Sequence, residues 1–140
     1  MLADTLGRFL AEQYPVEHRI KVAYDAPYHD PALWDQLVEL GALYALAPED
    51  AGGMGGSGFD ISVVFEALGK ALCPEPVLGA LMASRLLAAA GADQEALLPG
   101  VTRYAVGITE SDAPYDLDQT AAVASHKGDG LTMLGRKSTA

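Results

Sequence analysis

Three glycines in the first half of the chain have the spacing of a phosphate-binding loop. Gly53, Gly55 and Gly58 form the pattern G-x-G-x-x-G ahead of a helical stretch, and in dinucleotide-binding domains such glycines let the backbone approach a pyrophosphate. That chemistry needs a strand directly before the glycines and a βαβ unit around them. Here Pro48 and two acidic residues intervene, and the next predicted element is a second helix. The pattern favours a flexible loop between helices, where glycine supplies unusual backbone angles.

A group of acidic side chains in the second half could in principle bind a cation. Its members are Glu110, Asp112, Asp116 and Asp118. A calcium loop needs a central glycine and a terminal glutamate at set spacing, whereas Pro114 and Tyr115 stand in the middle of this group. We therefore expect a solvated acidic loop.

Histidine and cysteine show no pattern of a metal site or of a catalytic pair. His18, His29 and His126 are scattered, and Cys73 is the one cysteine. A single cysteine forms no disulfide within the chain, and Cys73 is interpreted as a small buried hydrophobic residue. No metal site is predicted, and neither a G-x-S-x-G elbow nor a P-loop is present in the sequence.

Composition excludes several classes of partner. The chain has 140 residues, half of them hydrophobic, and its 19 acidic and 9 basic residues give a net charge of −10. This charge argues against nucleic acid and against an anionic membrane surface as partners. The most apolar stretch, residues 77–92, is interrupted by Ser84 and Arg85 and falls short of a membrane span. The N-terminus has no signal-peptide pattern. We therefore expect a cytoplasmic protein without a membrane span.

Helical periodicity extends to about residue 102. Pro15 ends or bends a first helix. Asp30 and Pro31 start a second as a capping carboxylate and a proline at the first helical position, and Gly41 stops it. Asp60 is expected to cap a third helix. The apolar stripes of these three helices are Leu2, Leu6, Phe9 and Leu10; Leu33, Leu37 and Leu40; and Ile61, Val64, Phe65, Leu68 and Leu72.

A fourth predicted helix, residues 77–90, is apolar on nearly all sides. A helix of this kind is normally buried, so we expect it to be the most buried helix of the protein. Arg85 within it should lie at an interface or reach solvent with the tip of its side chain.

The period of the pattern changes to two after residue 102. Residues 104–109, 120–125 and 131–134 predict three strands, the last two joined by the turn residues 127–130. The predicted fold class is mainly α: an N-terminal helical domain over residues 1–102, then the first strands of a truncated antiparallel β domain over residues 103–140. Open strand edges in an incomplete sheet lead us to expect an oligomer.

Five segments in order resemble the acyl-CoA dehydrogenase family. Residues 40–55 are similar to its "LG…PE-x-x-GG-x-G" segment, and residues 66–69 match its E-x-L-G helix motif. Residues 97–99 resemble the step into its β domain. Thr109 and Glu110 match the start of its "(T/S)-E-P-x-(A/G)-G-S-D" motif, and residues 129–137 match its "GDG-x-x-L-x-G-x-K" hairpin.

The resemblance implies a flavoprotein that binds FAD and oxidises an acyl-CoA thioester at its α,β bond. It implies three domains, usually assembled as tetramers, with the catalytic base a glutamate commonly found in a C-terminal four-helix bundle. These 140 residues match the first domain and part of the second, so no catalytic residue is assigned here. We expect the chain alone to carry no stoichiometric FAD and to be inactive, because too few walls of the site are present.

The resemblance also assigns the candidate site residues, and one stretch departs from the family motif. Where the family has its small Gly-Ser corner at the flavin pyrophosphate and the thioester, this chain has Pro114 and Tyr115. Proline donates no amide hydrogen, and tyrosine adds bulk. The candidate cofactor-binding residues are Val106, Ile108, Thr109, Glu110, Ser111, Pro114 and Tyr115, and Tyr115 is also the candidate substrate-binding residue. Thr109 is equally well explained as an ordinary strand residue.

Two functions therefore stay open. The chain is the N-terminal portion of an acyl-CoA dehydrogenase that uses FAD and an acyl-CoA substrate, as a homo- or hetero-oligomer. Alternatively, it belongs to a non-catalytic subunit with a degraded flavin corner, which supports an active partner in a heteromeric complex. A small helical interaction domain outside the family is the third and weakest interpretation.

Overall fold

Six helices and one β-hairpin make up the computed structural model, which describes residues 2–138. The last two residues of the predicted β region, Thr139 and Ala140, lie outside the described residues. The elements are α1 (Leu2–Gln13), α2 (Val16–Tyr24), α3 (Pro31–Glu39), α4 (Ala42–Leu46), a 3-10 turn (Glu49–Ala51), α5 (Gly58–Lys70), α6 (Val77–Ala89), β1 (Val123–Lys127) and β2 (Gly130–Leu134). The chain divides between Tyr104 and Ala105 into a helical unit and a β unit. The mainly α fold class predicted from the sequence is confirmed.

The core of the helical unit is formed by the apolar stripes that the sequence predicted. Leu6 and Leu10 of α1 are buried with Val64 and Leu68 of α5, because residues four apart lie on one face of a helix. The rest of the core cluster is Tyr14, Leu33, Trp34, Leu37, Val38, Leu43, Leu46, Val77 and Ala80. The Trp34 indole nitrogen donates to the Gly100 carbonyl over 3.1 Å, so the one buried indole N–H has its partner.

The predicted ends of α3 are confirmed. The Asp30 carboxylate accepts from the amides of Ala32 (2.9 Å) and Leu33 (3.3 Å), with Pro31 at the first helical position. Gly41 follows the helix with φ +81°, a left-handed conformation that glycine adopts without steric cost. This turn leads the chain directly into α4.

The start of α5 corrects the position predicted for Asp60. The helix begins at Gly58 with Ser57 as its N-cap residue, so Asp60 is the third helical residue and not the cap. Its carboxylate reaches back to accept from the Ser57 amide over 3.0 Å. It still satisfies a free amide at the helix start, from inside the helix.

Helix α6 is not the most buried helix, so that prediction is wrong. Its buried residues are Val77, Ala80, Ala83 and Ser84, whereas α4 buries three of its five residues. Leu78 and Leu86 are 57% and 56% exposed. Within the described structure, only one side of this apolar helix has something to pack against.

Arg85 matches its prediction by reaching the protein surface, where its guanidinium group joins separate parts of the helical unit. It donates to the carbonyl of Leu46 at 3.1 Å and to that of Gly56 at 2.8 Å. Leu46 ends α4, and Gly56 lies in the glycine segment before α5. The charge is therefore directed at backbone carbonyls, and the apolar side chains around it on α6 remain exposed.

The β unit contains the predicted hairpin but not the predicted strand before it. β1 and β2 pair antiparallel in the register Val123 to Leu134 through Lys127 to Gly130, and Gly128 has φ +62° in the turn. Residues 104–109 form no strand in the described structure. A strand is defined by a pairing partner, and none of the described residues pairs with this segment.

Candidate functional site

Backbone hydrogen bonds to the end of α4 and the residues after it hold the glycine segment before α5. These bonds exclude phosphate binding by the same amides. The amides of Gly53, Gly55 and Gly56 donate to the carbonyls of Pro48 (2.9 Å), Ala47 (2.8 Å) and Ala45 (2.9 Å). A phosphate cradle needs such amides free to point at the ligand. The dinucleotide interpretation is therefore rejected.

The same segment is also not the flexible loop that the sequence favoured. A Cβ atom on Gly53 would lie 2.2 Å from the Ala47 carbonyl oxygen, and one on Gly56 would lie 2.3 Å from that of Ala45. The glycines are there because two stretches of backbone pack directly against each other. Glycine content alone does not separate this arrangement from a loose loop.

Two of the predicted cofactor-binding residues, Ile108 and Thr109, are joined to the residues that follow the hairpin. The Lys137 ammonium group donates to the Ile108 carbonyl over 3.2 Å. The Ser138 amide donates to the Thr109 carbonyl over 3.0 Å, and the hydroxyls of these two residues lie 3.1 Å apart. Side-chain and main-chain bonds thus hold Ile108 and Thr109 in the segment 106–110, which has no strand pairing of its own.

Glu110 lies at the centre of these contacts. Its Oε2 accepts from the Ala121 amide at 2.7 Å, and its Oε1 accepts from the Ala122 amide at 3.1 Å and from Lys137 Nζ at 2.8 Å. The hydrogen bond with Lys137, followed by that with the Ala121 amide, lowers the pKa of Glu110 below its usual range. The carboxylate is therefore ionised and directed into the protein.

The prediction of a solvated acidic loop is right for three residues and wrong for the fourth. Asp112, Asp116 and Asp118 are exposed, whereas Glu110 is only 7% exposed. Among residues 2–138, no group of three or more histidine, cysteine, aspartate or glutamate side chains is arranged to hold a metal ion.

The remaining candidate residues lie in a turn beside this network. The Ala113 amide donates to the Glu110 carbonyl over 3.2 Å, which folds the chain back after Glu110. Ser111 and Pro114 are exposed, and Tyr115 is 98% exposed. Within the β unit, the Tyr115 ring is unconstrained by packing.

These residues fit the ring end of FAD better than its pyrophosphate end. The backbone of segment 106–110 is not used in a sheet ladder in the described structure, and its position is fixed by Lys137 and Ser138. A backbone of this kind suits the edge of a planar ring. At the other end, Pro114 has no N–H to offer a phosphate, and Tyr115 places a ring where the family has a small residue. The corner that the resemblance assigns to the pyrophosphate therefore has no amide to offer it at Pro114.

Sequence reasoning missed Lys137 and Ser138 as site residues. Lys137 is the last residue of the hairpin motif, but nothing local shows that its side chain returns to Glu110, 27 residues earlier. The signal that could have found it is the hairpin register. Because Val123 pairs with Leu134, residues beyond Leu134 run back beside those before Val123.

The helical unit contains a second buried carboxylate, on Glu75. Its Oε1 accepts from the Tyr14 hydroxyl and from the Asp30 amide, both at 2.9 Å, while its Oε2 is buried without a hydrogen-bond partner. Burial raises the pKa of Glu75, and burial also raises those of Tyr14 and Cys73. A raised pKa disfavours a thiolate, so Cys73 is not a poised nucleophile.

The match to a family model comes from the helical unit. Residues 1–103 match the model described as "Acyl-CoA dehydrogenase, N-terminal domain". None of the helices that the structure describes has the length and apolar character needed to cross a membrane.

Curated relatives agree with that match. Acyl-CoA dehydrogenase IpdE2 of Mycobacterium tuberculosis is 38% identical over 118 residues, which cover 82% of this chain and 37% of that protein. IpdE2 of Mycolicibacterium smegmatis is 39% identical over 93 residues, 65% of this chain and 30% of that protein. The matched residues thus span 37% and 30% of the length of these two relatives.

Two solved structures share the fold. A variant of the Tcur3481-Tcur3483 steroid ACAD superposes with a TM-score of 0.84 at 24% identity, covering 97% of this chain and 39% of that one. The ChsE4-ChsE5 complex from Mycobacterium tuberculosis gives 0.78 at 22% identity, covering 96% and 37%. With the family model and the curated relatives, these matches lead to one conclusion: the chain belongs to the acyl-CoA dehydrogenase family and carries its N-terminal domain.

Proposed function

We propose that this chain is the N-terminal portion of an FAD-dependent acyl-CoA dehydrogenase, which oxidises an acyl-CoA thioester at the α,β bond when complete. The observation that carries the proposal is the ordered segment 106–110, held by Glu110, Lys137 and Ser138. It occurs in a chain that belongs to this family.

In this proposal, the chain supplies part of the wall that orients the cofactor. The backbone around Val106 and Ile108 lies along the flavin ring, and Thr109 contributes its backbone at the same edge. Bound FAD would accept a hydride from the thioester, and with that hydride both electrons of the oxidation. The base that removes the α-proton comes from outside these residues, as the family resemblance implies.

The second candidate is a supporting subunit without a working flavin site of its own. The specific observation that favours it is the corner, where Pro114 offers no amide and Tyr115 is 98% exposed. In a heteromeric complex, a partner would then hold the cofactor. One solved structure with this fold is itself a complex of two named chains, ChsE4 and ChsE5.

Both candidate functions include association with other protein chains. Leu78 and Leu86 of α6 lie two turns apart on one exposed side of an otherwise apolar helix, and such surfaces are commonly covered by a partner. We also propose a cytoplasmic location, supported by a single cysteine that forms no disulfide within the chain.

Substitutions at the corner residues Pro114 and Tyr115 distinguish the two candidate functions. The protein is extended to its natural length, produced with any co-purifying subunit, and its bound flavin is measured by visible absorbance. Wild type is compared with Pro114→Gly/Tyr115→Ser, and Ser125→Gly, at an exposed site on β1, is the control. Stoichiometric flavin on the wild-type chain supports the enzyme. Flavin on the double variant alone identifies the corner as the block. Flavin on neither, or only on a partner subunit, supports the supporting-subunit candidate.

A further inference from the structure

Hydrogen bonds within the protein occupy most acceptor positions of the Glu110 carboxylate. Its two oxygens receive the Ala121 amide, the Ala122 amide and the Lys137 ammonium group at 2.7–3.1 Å, and the residue is 7% exposed. Three of the roughly four acceptor positions of the carboxylate are filled, and its small exposed surface leaves little of it to face a ligand. The resemblance implies that Glu110 contacts the cofactor, whereas its hydrogen bonds join it to other parts of the β unit.

Lys137 extends this contact to a third stretch of chain. The same ammonium group that pairs with Glu110 also donates to the Ile108 carbonyl over 3.2 Å. Lysine can do this because its ammonium group carries three donors on a compact head. The pair thus joins segment 106–110 both to the residues before β1 and to the residues after β2.

This connection replaces what strand pairing would otherwise provide. Backbone in a sheet is fixed by a ladder of hydrogen bonds, and segment 106–110 has none in the described structure. Ser138 adds its amide and hydroxyl to the Thr109 carbonyl at 3.0 and 3.2 Å. The ion pair, the two amide bonds to Glu110 and this serine are among the contacts that hold the segment within the β unit.

We infer that Glu110 and Lys137 are positioning residues whose ion pair fixes segment 106–110 against the hairpin, without touching the cofactor themselves. This inference rests on the proposed function for the statement that the segment faces FAD. The fixing of the segment stands on the hydrogen bonds alone. Loss of either side chain leaves its partner incompletely paired and frees the backbone that would line the ring.

The test uses the full-length protein with its subunits and compares Glu110→Gln and Lys137→Met with their double variant. Asp112→Asn and Lys127→Met are matched controls, because they make the same changes at exposed neighbouring positions. Hydrogen exchange of peptides covering residues 106–111 and 119–123 is measured with and without added FAD. The dissociation constant and the visible spectrum of bound flavin are recorded alongside.

Each single variant should speed amide exchange in both peptides at least tenfold and weaken flavin binding at least tenfold. The double variant should be little worse than either single variant, since the two side chains form one unit. Lys137→Arg, which keeps the charge and several donors, should recover most of the affinity and the wild-type flavin spectrum. The controls should stay within twofold.

The failures can be told apart. If the wild-type assembly binds no flavin on this chain, the proposed enzyme function fails, while the exchange rates still decide whether the pair fixes the segment. If Glu110→Gln and Lys137→Met exchange and bind flavin like the controls, the inference is overturned. Should Glu110→Gln fail to fold, Lys137→Met decides, because it leaves the two amide bonds to Glu110 in place.

Discussion

Two buried glutamates in this chain show how their surroundings set a carboxylate's protonation. Glu110 has the Lys137 ammonium group on it, and its pKa is lowered. Among residues 2–138, no cation is in direct hydrogen-bond contact with Glu75, and burial raises its pKa. Ionisation of Glu75 places negative charge on Oε2, which is buried without a hydrogen-bond partner, and this raises the free energy of the charged form. The ionised form of glutamate is therefore favoured at Glu110 in the β unit and disfavoured at Glu75 in the helical unit.

The raised pKa of Glu75 makes a prediction about stability against pH. The unfolded glutamate ionises near its usual pKa of about 4.3, whereas the folded one holds its proton to higher pH. Its stabilising contribution is thus complete below that usual pKa and is lost as pH rises through the folded value. Glu75→Gln keeps the Oε1 that accepts from Tyr14 and cannot ionise. Between pH 4 and 8, thermal unfolding midpoints should move in favour of the variant as pH rises above the usual pKa, and the difference should level off once pH passes the folded pKa. Parallel curves, as expected for the exposed control Glu39→Gln, would contradict this.

At the scale of elements, the glycine segment and Arg85 hold α4, α5 and α6 together. The segment packs backbone on backbone against α4, and Arg85 of α6 donates to carbonyls on both. The PE-x-x-GG motif thus carries a packing arrangement and no phosphate chemistry.

Adding one methyl group to the glycine segment should test that packing. Gly53→Ala would place a Cβ 2.2 Å from the Ala47 carbonyl oxygen, and such overpacking costs about 1–3 kcal/mol. Gly7→Ala is the matched control: it lies within α1 with no other atom near its Cβ, and should stabilise by about 0.5–1 kcal/mol. Free energies of unfolding in urea measure both. Equal effects at the two positions would show that the segment is not tightly packed.

Arg85 should contribute to stability although it lies at the surface. Arg85→Met removes the donors to the carbonyls of Leu46 and Gly56, and we expect a loss of about 1–2 kcal/mol after discounting for exposure. Arg8→Met is the control, because the hydrogen bond described for Arg8 goes to the Asp4 carbonyl in its own helix, at 3.4 Å, and its loss should cost less than about 0.5 kcal/mol. Urea denaturation again provides the measurement. If Arg85→Met lowers the free energy of unfolding no more than Arg8→Met does, the two carbonyl contacts do not stabilise the fold.

Local signals predicted most elements, and contacts between distant residues account for the errors. Caps, prolines and apolar stripes were enough for α1, α3, α5, α6 and the hairpin. Helix α2 was missed because only Val22 of its nine residues is buried, so it has no apolar stripe to recognise. The strand predicted over residues 104–109 has the right residue types but no described partner. The Glu110–Lys137 pair spans 27 residues, and no local pattern reports such a contact.

For the whole molecule, the exposed side of α6 leads us to expect a further surface that packs against it. A helix that is apolar all round is buried in a finished protein, yet Leu78 and Leu86 are exposed in the described structure. The relatives are almost three times as long as the matched region. We expect the covering surface to come from another part of the protein or from another subunit.

Charge placed on that side should weaken assembly. In the full-length protein, Leu78→Glu/Leu86→Glu should shift the mass measured by light scattering toward smaller species or expose a loosened domain to protease. Tyr24→Glu, at an exposed position on α2, is the control and should leave the mass unchanged. A monodisperse monomer for the wild-type protein, with no partner chain bound, would contradict the expectation of an oligomer.

The most direct test of the whole account is an anaerobic titration of the full-length protein, with its subunits, by acyl-CoA thioesters. The visible absorbance of bound flavin reports the reaction. We expect the flavin to be reduced by at least one acyl-CoA, with an α,β-unsaturated thioester as product. An assembly that contains this chain, holds flavin and is reduced by none of a broad series of acyl-CoA thioesters, or that holds no flavin on any subunit, would contradict the account.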